Sequence, residues 1–108
     1  MVGYIMSYAV TVPSIVKRDV SRAINRKREF GAYERNIIDF KSEVDKKISS
    51  LVHSPKIGAN LSSRVNRETK IKYHVIDDYL LFYEINEPNQ VDVIRFLSAK
   101  SNWILKLF

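Results

Sequence analysis

The chain contains no cysteine in 108 residues, which excludes disulfides, thiolate zinc sites and cysteine nucleophiles. Glycine and proline occur three times each, histidine twice and tryptophan once. No glycine-rich phosphate loop, metal-ligand cluster or nucleophile triad can be assembled from the order in which these residues occur, so no cofactor and no metal is expected. Carboxylates are outnumbered: 12 Asp and Glu stand against 18 Lys and Arg, a formal charge of +6. No apolar run approaches the roughly 20 residues that cross a bilayer, so no membrane segment is expected. Met1 to Met6 lacks the basic start and long apolar stretch of a signal peptide. Met6 offers an alternative start that would make the first five residues a dispensable extension. The absence of cysteine fits a cytoplasmic location.

With 45% apolar and 28% charged residues, the composition is that of a folded, soluble chain. The length suits a single domain over 1–108 with one modest core. So basic a domain suits nucleic acid, an anionic membrane or an acidic protein partner.

Tyr8 to Val12 is β-branched and aromatic and predicts a short first strand. Pro13-Ser14 follows, with Ser14 a suitable N-cap. Ile15, Val16, Val20, Ala23, Ile24 and Phe30 then recur at helical spacing, with Lys17, Arg18, Arg22, Arg26 and Lys27 opposite them. Gly31 is a helix stop. Tyr33, Ile37, Phe40, Val44, Ile48 and Leu51 form a second apolar stripe, and the two helices make an αα-hairpin. Ser54-Pro55 ends it, and Ile57 to Leu61 is expected as a loop. Strands are predicted over 70–75, 79–86 and 91–98, with turns at Asp77-Asp78 and Glu87 to Gln90. Tyr79 to Ile85 is apolar on both faces, which marks a central strand. The expected fold is α+β: a short N-terminal strand, a helical hairpin, a three-stranded antiparallel meander and a short C-terminal segment.

Lys70, Lys72 and His74 alternate with Ile71, Tyr73 and Val75, which puts the titratable side chains in one row. With Arg64 and Arg67 just upstream, this row suits phosphates. Flanking lysines push His74 toward its neutral form, as a general base near pH 7 requires. The plainer reading is the solvated face of an amphipathic strand. The first helix is a second basic surface, suited to RNA or an acidic partner. Glu84 sits on the apolar central strand and is expected to pair with a lysine or Arg95. Trp103 suits base stacking, or core packing.

The order of elements resembles the RelE/ParE superfamily of type II toxin–antitoxin toxins. Ser54-Pro55-Lys56-Ile57-Gly58-Ala59-Asn60 resembles the loop leaving their second helix. Lys70-Ile71-Lys72 followed by Asp78-Tyr79-Leu80-Leu81-Phe82-Tyr83-Glu84-Ile85 resembles two of their strands, and Ser98 to Trp103 resembles their tail. The resemblance implies a toxin with a cognate antitoxin and, for the nuclease members, a ribosome-dependent endoribonuclease that cleaves mRNA with lysines and arginines. Lys70 and Lys72 match the two family lysines. Leu80 stands where those members carry an arginine, and Asn102-Trp103 where some carry His-Tyr. The implied catalytic set is therefore Lys70, Lys72, His74 and Lys100, with Arg64, Arg67 and Trp103 holding the nucleic acid. ParE-like members lack that set and poison DNA gyrase, which is the alternative function.

Overall fold

Helix α1 (Ser14–Glu29) stops where the sequence says it should. Gly31 takes φ of +81°, its N–H donates to Arg28 O at 3.0 Å, and Ala32 N–H donates to Lys27 O at 2.9 Å. These paired reverse bonds satisfy the last carbonyls of the helix, and the left-handed residue between them favours glycine. The start differs from expectation. Pro13, extended at ψ of 161°, occupies the cap position, and Ser14 is the first helical residue without a side-chain capping bond. The computed structural model describes residues 7–108, so Met1 to Met6 lie outside the described residues.

Helix α2 (Glu34–Ser50) follows, and it buries Ile37, Phe40 and Val44 as its spacing predicts. Phe30 and Tyr33, placed on the apolar stripes by spacing, are each 79% exposed at the tip of the hairpin. They flank the connection between the helices, beyond the part of the hairpin that packs into the core.

The sheet corrects the expected meander. Its order is β1-β5-β4-β3-β2, five strands of mixed direction. Strand β1 (Ala9–Thr11) pairs parallel with β5 (Gln90–Ser98), with Val10 opposite Val91. The connection between these parallel neighbours is long, as it must be, and runs through the helical hairpin and the other strands of the sheet. Ala59–Asn60, expected within a loop, forms β2 against Tyr73 and Lys72 of β3 (Ile71–Ile76). Three- and two-residue strands are too short to show a period-2 signal. The antiparallel β3–β4–β5 core stands as predicted, with β4 (Tyr79–Asn86) central.

Strand β4 is apolar on both faces because both are covered. Tyr79, Leu81 and Tyr83 meet Val16, Ala23, Phe40 and Val44 of the helices. On the far face, Leu80 and Phe82 pack with Leu61, Ile71, Leu97 and Trp103. Trp103 opens the short helix α3 (Trp103–Leu107), which docks there. A bulge shifts the β4–β5 register: Phe82 is opposite Arg95 and Tyr83 opposite Val93, leaving Ile94 as the extra residue. Such an insertion bends the strand and re-aims its side chains.

Candidate functional site

Strand β3 sorts the predicted row by register. Lys72 pairs with Tyr83 and His74 with Leu81, both part of the helix-side core. These two side chains therefore lie on the helix side of the sheet, near its β2 edge. The His74 ring stacks on Tyr83 at 5.5 Å and 14°. Its Nε2 is buried without a hydrogen-bond partner. Burial, then Lys47 of α2 and Lys72, hold the imidazole below its ordinary value and thus neutral near pH 7.

Lys72 Nζ donates to Asn60 Oδ1 of β2 at 2.8 Å. Lys70, one residue before the strand, gives its ammonium to Asn86 Oδ1. Asn86 in turn donates to Asp92 Oδ2 at 2.6 Å. Both lysines thus have neutral partners on neighbouring strands, and an acid lies one step further along for Lys70.

The remaining predicted residues lie elsewhere. Arg64 stands over Tyr73 at 5.5 Å and Trp103 at 5.9 Å, and Arg67 over Phe108 at 4.4 Å. Tyr73 and Trp103 belong to the far-face cluster. This group therefore occupies the opposite side of the sheet from Lys72 and His74. Trp103 is 8% exposed and packs on Phe82 at 5.4 Å, with most of its surface used in the core. Lys100 is exposed beyond β5, next to Ala99, whose N–H donates to Asp78 O at 2.9 Å. That places it at the β3–β4 turn, while Lys70 precedes the other end of β3. Six strand residues separate the two ends, about 20 Å.

Two structural pairs were not legible as such. Glu84, expected beside Arg95, instead accepts from Asn86 Nδ2 at 3.4 Å. Arg95 donates to Asp19 of α1 from Nε and Nη2 at 2.8 and 2.9 Å. The available signal was symmetrical: an acid on the apolar side of a basic helix, and one cation inside an apolar strand. The second pair closes the loop before β2. Tyr83 Oη donates to Pro55 O at 2.6 Å and accepts from Gly58 N at 3.1 Å. Burial raises the phenol above its usual value, and the Gly58 bond pulls part of that back.

Among the described residues no three His, Asp or Glu gather to hold a metal ion. No helix among them is long and apolar enough to cross a membrane. The family model described as the ParE toxin of type II toxin-antitoxin system, parDE, matches residues 16–103. No curated protein matches the chain.

Proposed function

The chain belongs to the ParE toxin family of type II toxin–antitoxin systems, within the RelE/ParE superfamily, and from that premise we propose that it arrests growth by binding and inhibiting a protein target, DNA gyrase, without cutting RNA. Membership implies a cognate antitoxin as its partner. The observation that carries the inhibition reading is the scatter of the implied catalytic set. RNA cleavage by 2′-OH attack needs charge and a proton acceptor converging on one phosphate. Lys72 and His74 share a face, but Lys100 lies at the other end of β3 from Lys70, and Arg64 and Arg67 stand over far-face rings. Of the two ring nitrogens of His74, Nε2 is buried.

One observation favours the nuclease reading with ribosome and mRNA as targets: a neutral imidazole beside a lysine is a sound general base. Pulse-labelling after induction separates the two. Early loss of DNA synthesis with translation intact supports gyrase inhibition, and early loss of translation with cleaved mRNA overturns it. Supercoiling by purified gyrase, with and without the chain, gives the direct measurement.

A further inference from the structure

Positive charge is divided unevenly between the two long helices. Helix α1 carries six Lys and Arg against two acids, whereas α2 carries four against four. Of the two acids on α1, Asp19 is 4% exposed and bound to Arg95. The outward face from Lys17 to Arg26 therefore has cations as its only charged groups, with Arg18, Arg22 and Arg26 repeating about one turn apart.

Beside this face runs a trough of about 490 Å³ between α1, β5 and α3, walled by Arg22 and Arg26 on one side and Lys106 on the other. A second hollow of about 590 Å³ continues it to the hairpin tip and is lined by Tyr33 and Lys100. The two share Arg26, Phe30, Tyr79 and Ser98. Phe30 and Tyr33 are each 79% exposed, and the Arg26 guanidinium lies 5.8 Å from the Phe30 ring. Asp78, also in the lining, faces Lys27 at 3.6 Å, which leaves Glu29 as the remaining carboxylate.

We propose that this trough binds single-stranded nucleic acid, with phosphates on Arg22, Arg26, Lys106 and Lys100 and unpaired bases on Phe30 and Tyr33. A basic channel with open aromatic faces is the arrangement such strands require. An acidic polypeptide accounts for the cations but covers the two rings only where its own sequence supplies aromatic or apolar side chains, whereas every nucleotide brings a flat base. A duplex accounts for the cations too, but its bases are already stacked. The trough is distinct from the Arg64–Trp103 cluster. The proposal goes beyond target inhibition, and because its test needs neither gyrase nor ribosomes, either can fail alone.

The test is fluorescence anisotropy of a labelled oligo-dT about 12 nucleotides long, within the usual site size, against the purified chain. The same measurement with an oligo-U of equal length distinguishes DNA from RNA as the source of the strand. Binding should weaken steeply with salt. Phe30→Ala with Tyr33→Ala should lower affinity about tenfold or more with little change in salt slope. Arg22→Ala with Arg26→Ala should lower affinity and also flatten the slope by about 1.4, two phosphates' worth for a single strand. Lys46→Ala on α2 should change neither. All these side chains are exposed, and circular dichroism checks that the variants fold. No binding at low salt, full affinity in the aromatic variant, or equal or tighter binding of duplex DNA or polyglutamate would overturn the assignment.

Discussion

Asp19 and Arg95, 76 residues apart, form a two-point ion pair whose carboxylate also accepts the Phe96 N–H at 3.0 Å. Strand β1 pairs with β5 only from Gln90 to Asp92. Past that point the outer edge of β5 has no strand beside it among the described residues. The Asp19 side chain takes the place of a missing strand there, satisfying a buried amide and neutralising the cation re-aimed next to the bulge. The pair thereby anchors α1 on the sheet.

Removing one member should be far worse than removing both. Asp19→Ala leaves a half-buried guanidinium and a buried amide unpaired, with an expected loss of about 3–5 kcal/mol. Asp19→Leu with Arg95→Leu should recover a large part of that. Urea denaturation measures both, and a single substitution costing under about 1 kcal/mol would contradict the role assigned to the pair.

Gly58 has no room for a side chain. A Cβ there would lie 2.1 Å from Tyr83 Oη and 3.1 Å from Tyr73 O. Tyr83→Phe unpairs Pro55 O and Gly58 N, at about 1–3 kcal/mol. Gly58→Ala should therefore destabilise the chain, and less so in the Tyr83→Phe background, because the closest clash is gone. A double-mutant cycle by thermal or urea unfolding reads this coupling, and strict additivity would refute it.

Stability should fall in mild acid through His74. Burial, then Lys47 and Lys72, lower its value from 6.5, so the unfolded chain takes up a proton first as pH drops. Its contribution is intact above about 6.5 and is lost as pH falls from there toward the folded-state value. His74→Phe keeps a ring against Tyr83 and removes the titration. The variant should gain on the parent between pH 7.5 and 5; parallel stability curves would exclude His74 as the cause.

Lys70→Ala with Lys72→Ala should leave the fold intact, because both ammonium groups bond only to exposed or half-buried asparagines. The expected change is within about 0.5 kcal/mol. On the inhibition reading the double variant still arrests growth, while changes around Trp103 and Phe108 matter more. A folded double variant that no longer arrests growth would favour RNA cleavage.

The local pattern alone determined the two helices, the Gly31 stop, the three long antiparallel strands and the double-faced centre at Tyr79 to Ile85. Those features follow from side-chain periods of 3.6 and 2 and from one residue's φ, all of which act within a few positions. The family resemblance was likewise carried by short local segments. Tertiary structure decided the rest. The partner of a three-residue strand, the bond from Asp19 to Arg95 and the exposure of Phe30 and Tyr33 depend on which distant segments meet. The alternation of β3 correctly put Lys72 and His74 in one row but was silent on which face of the sheet that row would take. Only the pairing of Lys72 with Tyr83 beneath the helices, and the docking of α3 on the far face, set those two apart from Arg64 and Trp103. A period says that two side chains share a side, whereas the packing of remote elements decides what covers it.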